Sequence, residues 1–243
     1  MPTPPAITHQ NPLEVHLLGL VDFDAAVFLQ ERLVYEFSGR DDQTGGLLLC
    51  EHPPMVTIGR EGSRASLRAD DQDFAARQMD VRWINRGGGC LVHCPGQLAA
   101  YPVVPLERLG LRPAEYAARL CEAVIDLCTE MHVAAWPSED GRGVSCRLGQ
   151  FAYVGAAVKS GIAYHGLFVN VAPPMDLVRL VDGGRRSERQ TSLAAQRARA
   201  TEMHTVREGL IRHLAAVLGY DKHHVYTSHP LLKRTHRKVP ISA

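Results

Sequence analysis

A glycine-rich segment at residues 86–97 constrains this chain more than any other feature. It reads Arg-Gly-Gly-Gly-Cys-Leu-Val-His-Cys-Pro-Gly-Gln. Glycine has no Cβ and tolerates positive φ, so the segment predicts a loop whose backbone comes very close to another group. Residues 81–84 and 97–104 have strand patterns on either side. A strand, a glycine loop with Arg86 and His93, then a strand is typical of the wall of a small-molecule pocket. A long turn in a surface hairpin has the same composition.

The bulk composition excludes several classes of protein. The chain has 243 residues, and 27 Lys and Arg against 26 Asp and Glu leave a net charge of +1. This balance provides no attraction for nucleic acid or an anionic membrane. No apolar run approaches the ~18 residues of a membrane span, and the amino terminus lacks the pattern of a secretory signal. The 6 cysteines are dispersed, as in a reducing compartment. We therefore expect a cytoplasmic monomer.

Three segments have the apolar spacing of amphipathic helices. The first follows a cap at Asp22 and continues to about Phe37, and the second begins at Pro113, a residue that the first helical turn accepts. The third extends from about Thr201 to Gly219. A polar stretch at 61–78 is predicted to be a loop with a short helix.

Short apolar runs predict the strands, and these lie at 47–50, 55–58, 151–158 and 162–171, with Lys159-Ser160-Gly161 as a turn between the last two. Strands and helices mix without regular βαβ alternation. The predicted fold class is therefore α+β, with a largely antiparallel or mixed sheet. We expect one domain over residues 1–228, followed by a basic, disordered tail at 229–243.

Several motifs, taken together and in order, resemble the octanoyltransferase family of lipoate biosynthesis. They are Glu51-His52-Pro53, Thr57-Ile58-Gly59-Arg60, Arg86-Gly87-Gly88, His93-x-Pro95-Gly96-Gln97-Leu98, Tyr101-Pro102, Tyr164-His165-Gly166-Leu167 with Asn170, and Thr191-Ser192-Leu193. The resemblance covers roughly residues 16–232. A single glycine loop is weak support for a family, but this ordered series is specific.

The resemblance implies the fold shared by lipoate and biotin ligases, a mixed sheet flanked by helices. It implies transfer of an octanoyl chain from an acyl carrier protein to one lysine of a lipoyl domain, without metal or other cofactor, because a thioester drives the reaction. It also implies the residues of an acyl-binding site, which are Arg86, Gly87, Gly88, Gly89, His93, Tyr153, Val154, Gly155, Gly166, Leu167 and Phe168.

Both members of the family's catalytic dyad are replaced in this chain. The family's lysine opens the motif Lys-x-Ala-x-x-Gly, and the matching position holds Gln150. Its cysteine lies eight residues before the threonine of Thr-Ser-Leu, and counting back from Thr191 reaches Gly183. Two further departures are Leu91-Val92, in place of a Thr-aromatic pair, and Arg185-Arg186 in the former cysteine loop.

These departures leave three functional hypotheses. A neutral Gln150 cannot stabilise a thiolate, and Gly183 offers no nucleophile, so the usual acyl-enzyme route is impaired. The chain is then a non-catalytic pseudo-transferase that binds an acyl group or a lipoyl domain, or an acyltransferase with a relocated thiol. A ligase-like reaction through an acyl-adenylate is the third hypothesis, but it needs a lysine where the chain has Gln150.

Cys94 is the leading candidate for a relocated thiol, because it follows His93 directly within the loop. Adjacent residues of an extended segment point to opposite faces, so His165 is the better candidate for its base. Cys146 is a weaker candidate nucleophile. Cys90, His93 and Cys94 together supply only three of the four ligands of a structural zinc site, and His52, Cys146 or His165 would have to complete it. We therefore predict no metal site.

Overall fold

The computed structural model describes residues 12–183, 189–196 and 201–232, and it shows two sheets with helices on both faces of the larger one. The strands are β1 (Leu13–Leu20), β2 (Gly45–Glu51), β3 (Met55–Ile58), β4 (Asp80–Trp83), β5 (Cys90–His93), β6 (Gln97–Pro105), β7 (Ala135–Pro137), β8 (Gly143–Cys146), β9 (Gly149–Lys159), β10 (Ile162–Asn170) and β11 (His223–Thr227). The helices are α1 (Phe23–Ser38), α2 (Asp71–Ala76), α3 (Pro113–Glu130), α4 (Met175–Val178) and α5 (Met203–Val217).

The larger sheet has eight strands in the order β11-β1-β2-β6-β10-β9-β8-β7. Strand β1 pairs in parallel with both β11 and β2, and the other pairs are antiparallel. The smaller sheet has the order β4-β3-β5, with one parallel and one antiparallel pair. The predicted α+β class with a mixed sheet is therefore confirmed.

The three predicted long helices are present, and their apolar faces form the core. Asp22 caps α1 by accepting hydrogen bonds from the backbone N–H groups of Asp24 and Ala25, and Pro113 occupies the first turn of α3. Helices α3 and α5 pack on one face of the larger sheet, and α1 packs on the other. A third cluster joins the smaller sheet to α2 and α4. No helix in the described ranges has the length and apolar content that a membrane span requires.

The turn predicted at 159–161 connects β9 and β10. Ser160 and Gly161 have φ values of 52° and 75°, the two positive angles of a type I′ hairpin turn. The short helix predicted within 61–78 is α2, and its Asp70 forms a capping box with Asp73.

The described chain stays in contact with the rest of the fold just past the predicted domain end at residue 228. His229 stacks edge-on against His16 at 4.6 Å between ring centroids, and Leu232 packs against the α1 cluster. Apolar and ring contacts therefore keep the chain packed to residue 232, and residues 233–243 of the predicted tail lie outside the described residues, as do Arg185 and Arg186.

Candidate functional site

The glycine loop after β4 makes the close backbone contacts that its composition predicts. Gly87 N–H donates to Ala156 O at 3.0 Å, and Gly59 N–H donates to Gly89 O at 3.1 Å. A Cβ added to Gly59 would lie 2.4 Å from Gly88 O, closer than two such atoms can approach. The loop is therefore pressed between the segment after β3 and the strand β9.

A cavity of about 210 Å³ opens beside this loop. It is lined by Glu61, Arg86, Gly88, Gly89, Cys90, Leu91, Asp140, Arg142, Gln150, Tyr153 and Val154. This volume is below the ~300–1,000 Å³ of pockets for drug-sized ligands, so the cavity suits a narrow ligand. A larger groove of about 700 Å³ shares part of this lining and continues past Gly87 to the start of α3.

One charged group of the cavity wall, Arg86, is 0% exposed. Its Nε and Nη2 donate to Thr57 Oγ1 at 3.1 and 2.8 Å, Nη2 also donates to Thr57 O at 3.0 Å, and Nη1 donates to Gly87 O at 2.9 Å. In the described part of the chain no carboxylate forms an ion pair with it. Burial lowers the pKa of Arg86 to about 10, so the guanidinium remains charged at neutral pH.

His93 continues the polar chain from Thr57. Because Thr57 Oγ1 accepts from Arg86, its own proton goes to His93 Nε2 at 2.8 Å. His93 Nδ1–H then donates to Gln97 Oε1 at 2.9 Å, and Gln97 Nε2 donates to Asn170 Oδ1 at 2.9 Å. Burial, followed by the charges of His52 and Arg86, lowers the pKa of His93 well below its ordinary value.

Asn170 extends this series of hydrogen bonds to the segment 189–196, because its Nδ2 donates to Thr191 O at 3.2 Å.

His52 forms a second buried pair nearby. Its Nδ1 donates to Val21 O at 2.8 Å, so its Nε2 accepts from Tyr101 OH at 2.7 Å. Burial lowers the pKa of His52 to about 4. Both histidines are therefore neutral and hold the site in shape.

The two positions that the resemblance assigns to the dyad lie around one pair of side chains. Tyr153 OH lies 3.1 Å from Gln190 Oε1 and 3.3 Å from Gln150 O. A Cβ added to Gly183 would lie 2.6 Å from Gln190 Oε1 and 3.4 Å from Tyr153 Cε1. The Gln190 amide is held there by Val181 O at 2.6 Å and Val178 O at 3.3 Å. Gln190 therefore occupies the space next to Gly183.

Gln150 lines the cavity with an unused acceptor. The side chain is 2% exposed, and its Nε2 donates to Ala152 O at 3.1 Å. Its Oε1 has no hydrogen-bond partner among the described residues. A buried acceptor without a donor costs ~1–3 kcal/mol, so this atom is a candidate contact for a ligand.

Cys94 and His93 pack in different surroundings, since the His93 ring contacts Phe168 and Cys94 belongs to the cluster of the smaller sheet. Both ring nitrogens of His93 are bonded elsewhere, to Thr57 and Gln97. Cys94 packs in the cluster of the smaller sheet with Cys90 and Val92, which share its face of the strand. Burial raises the pKa of Cys94 to about 12. These contacts do not favour a thiolate, and the relocated thiol remains a prediction for the acylation experiment below.

His165 also lacks the environment of a general base. Its ring packs on Tyr164 at 4.6 Å between centroids, and its Nδ1 has no partner in the described ranges. Burial, then the charges of Arg86 and Arg60, lowers the pKa of His165 to about 3. Cys146, the weaker candidate, donates to Gly149 O at 3.1 Å and is also buried. Among the described residues no cluster of three His, Cys, Asp or Glu side chains is arranged to hold a metal.

Part of the predicted acyl-binding set lines the cavity, and part supports it. Arg86, Gly88, Gly89, Tyr153 and Val154 contribute directly. The others stand behind the wall or in the adjacent groove, and these are Gly87, His93, Gly155, Gly166, Leu167 and Phe168. Phe168, for example, packs against His93 at 4.9 Å between ring centroids.

Sequence reasoning missed the mouth of the cavity. Glu61 and Arg142 form an ion pair there, although 81 positions separate them. Asp140 lines the cavity beside Arg142. No pattern in the sequence connects these two regions, because the pair forms only when the loop before β8 folds over the glycine loop.

Comparison with known proteins gives consistent results. Residues 22–215 match the family described as the lipoyl protein ligase A/B catalytic domain. The octanoyltransferase of Geotalea uraniireducens (strain Rf4) is 39% identical over 155 residues, 63% of this chain and 68% of that protein. The octanoyltransferase of Chloroflexus aggregans is 35% identical over 210 residues, 84% of this chain and 94% of that protein.

Two solved structures share the fold. A T. acidophilum protein described as a lipoate protein ligase with bound lipoic acid has a TM-score of 0.73 at 16% identity, covering 90% of this chain and 91% of that one. A lipoate-protein ligase A bound with ATP has a TM-score of 0.66 at 17% identity, covering 90% of each chain. At these identities the likeness concerns the fold alone.

Proposed function

Because this chain belongs to the lipoyl protein ligase A/B catalytic-domain family, among the octanoyltransferases of lipoate biosynthesis, we propose that it binds the family's acyl group without the covalent acyl-enzyme step. In this proposal the octanoyl chain enters the cavity beside the glycine loop. The chain is then a pseudo-transferase, impaired in the reaction from which its site descends.

The observation that carries the proposal is that Gln190 fills the space beside Gly183. Aligned by its motifs, the chain has glycine where the family has its nucleophile, and Gln190 Oε1 lies 2.6 Å from where a Cβ would be. A second neutral amide, Gln150, stands at the position of the activating lysine. Loss of a covalent nucleophile leaves only the ~10³–10⁴-fold acceleration over water that binding and charge stabilisation provide.

The binding scaffold supports the other half of the proposal. Arg86, Thr57, His93 and Gln97 form a continuous set of buried hydrogen bonds that shapes the cavity. An aliphatic chain that leaves water for such a site gains ~0.8 kcal/mol for each methylene buried. Burial of the acyl chain therefore favours binding without a reacting cysteine or lysine.

The partners and setting proposed here follow the resemblance. We propose an acyl carrier protein, which carries the acyl group, as one partner and a lipoyl domain as the second. We further propose that the chain acts in the cytoplasm as a monomer, as one domain, and without nucleic acid, metal or cofactor.

The first experiment incubates the purified chain with octanoyl-loaded acyl carrier protein and measures its intact mass. We expect no added octanoyl group, because Gly183 provides no nucleophile and the pKa of Cys94 is about 12. A stable adduct on the wild-type chain that is absent from Cys94→Ala would replace this proposal with a relocated thiol.

The second experiment restores the dyad in the variant Gly183→Cys/Gln150→Lys/Gln190→Ala. The Gln190 change vacates the space that the new thiol needs. We expect an acyl-enzyme, and transfer to a lipoyl domain at least ~100-fold faster than by the wild type. The matched control carries Gly183→Ala with the same two other changes and stays unmodified. Wild-type transfer as fast as that of the restored variant contradicts the proposal.

A further inference from the structure

The orphaned acceptor of Gln150 identifies the kind of ligand that the cavity takes. The hydrogen bond from Nε2 to Ala152 O fixes the orientation of the side-chain amide, because a carbonyl oxygen only accepts. The atom left without a donor in the described part of the chain is therefore Oε1. The side chain is 2% exposed and belongs to the cavity wall, so a ligand bound in the cavity is placed to supply the donor.

Arg86 contributes a hydrogen-bond donor to the same cavity, whereas Gln150 contributes an acceptor. A guanidinium has five N–H groups, and the hydrogen bonds to Thr57 and Gly87 use four of them. Among the described residues the second N–H of Nη1 has no assigned acceptor. The cavity thus combines a buried acceptor from Gln150 with a buried cationic donor from Arg86.

We propose that the cavity recognises a neutral secondary amide, namely the bond between an acyl chain and a lysine side chain. The amide N–H donates to Gln150 Oε1, and the amide oxygen accepts from Arg86 Nη1. This inference rests on the proposed function, since an acylated lysine is the form in which the family's reaction leaves its target. It makes the chain a reader of acylated lysine rather than a transferase.

The alternative ligands match the two groups less well. An acyl thioester has a carbonyl oxygen for Arg86 but no hydrogen for Gln150. An ionised fatty acid has acceptors only, and one carboxylate oxygen would face Gln150 Oε1 without a proton between them. An unmodified lysine has an ammonium group with hydrogens for Gln150 Oε1 but no acceptor for Arg86 Nη1.

The experiment compares two peptides that differ by one N–H group. One contains Nε-octanoyl-lysine, and the other contains the isosteric octanoyl ester in which oxygen replaces that nitrogen. Binding is measured by fluorescence anisotropy on the full chain. We expect the amide to bind about tenfold more tightly than the ester, because a buried acceptor rejects a ligand that lacks the matching hydrogen.

The variant Gln150→Met keeps the length of the side chain and removes the acceptor. We expect it to bind the amide and the ester with the same affinity, while its thermal unfolding shows that it is folded. Equal binding of both peptides by the wild type overturns the amide inference and leaves the acyl-binding function standing. If the wild type binds neither peptide, both proposals are wrong. A preference that survives in Gln150→Met also overturns the role given to Gln150.

Discussion

The buried hydroxyl of Thr57 offers the sharpest test of how the site is held together. Its Oγ1 accepts from Nε and Nη2 of Arg86 and donates to His93 Nε2. The substitution Thr57→Val keeps the shape of the side chain and removes all of these bonds. Arg86 then retains only the backbone acceptors Thr57 O and Gly87 O.

The expected cost follows from these contacts. A hydrogen bond to a charged group contributes ~1.5–3 kcal/mol, and an imidazole nitrogen left buried without a donor costs ~1–3 kcal/mol. The Arg86 contacts share one acceptor and are not additive, so we expect Thr57→Val to lower the free energy of unfolding by about 3–5 kcal/mol. That is a large part of the ~5–15 kcal/mol typical of a folded domain.

The assay is urea unfolding of the wild type, Thr57→Val and Thr57→Ser, with the free energies extrapolated to water. Thr57→Ser is the matched control, because it keeps the hydroxyl and loses one buried methyl group, at a cost of about 1 kcal/mol. If Thr57→Val is no less stable than Thr57→Ser, the hydroxyl does not hold Arg86 and His93, and the description of the site is wrong.

Two further predictions concern stability. The pKa values of His52, about 4, and His165, about 3, are below the ordinary ~6.5, so between pH 6.5 and 5 the unfolded chain binds more protons than the folded one. Each of these two histidines should therefore lower the free energy of unfolding by about 2 kcal/mol between pH 7 and pH 5. Urea unfolding that gives the same free energy at both pH values refutes this prediction. Gly96→Ala should cost about 2–4 kcal/mol, because φ is +91° and the added Cβ would lie 2.5 Å from Ala172 O. Gly110→Ala is the control, because φ is +68° there but an added Cβ would have nothing within 4 Å, so only backbone strain is tested. If thermal unfolding shows the same loss of stability for Gly96→Ala and Gly110→Ala, the predicted clash is contradicted.

The elements that sequence reasoning predicted well are those whose signal is local. In α1, Ala26, Leu29, Leu33 and Phe37 recur at helical spacing, and all four are buried. In the β9–β10 hairpin, the polar turn between two apolar runs is sufficient to predict the pairing. These patterns depend on neighbours within one or two turns of the chain.

The elements that it missed are held by distant partners. Every residue of strand β11 is exposed, and its sequence, His-His-Val-Tyr-Thr, has no apolar alternation. It forms because Leu13 and Val15 of β1, themselves buried, pair with it across some 210 positions. Such a strand exists only once β1 has joined the sheet, and no window of the sequence contains that information.

The candidate site also combines residues that local motifs indicate with contacts that only the folded chain makes. The resemblance implied Arg86, Tyr153 and Val154 as parts of an acyl-binding site, and these three residues line one cavity. It could not predict that Gln190 fills the space beside Gly183, since that contact depends on how the segment 189–191 pairs with Gln150. The motif register names positions 150 and 183, and only the packing shows which side chains surround them.

The backbone of Gln150 contributes to the fold, whereas its side chain determines the chemistry at this position. Its backbone N–H donates to Arg189 O at 2.8 Å and its backbone oxygen accepts from Thr191 N–H at 2.9 Å, and any residue can make those bonds. The side chain makes a single hydrogen bond, to Ala152 O. Exchanging it should therefore alter the ligand preference of the cavity and leave the pairing of the strand intact. The shape of the cavity near Arg86 and His93 is likewise independent of these positions, because their bonds to Thr57 and Gln97 involve neither Gln150 nor Gly183.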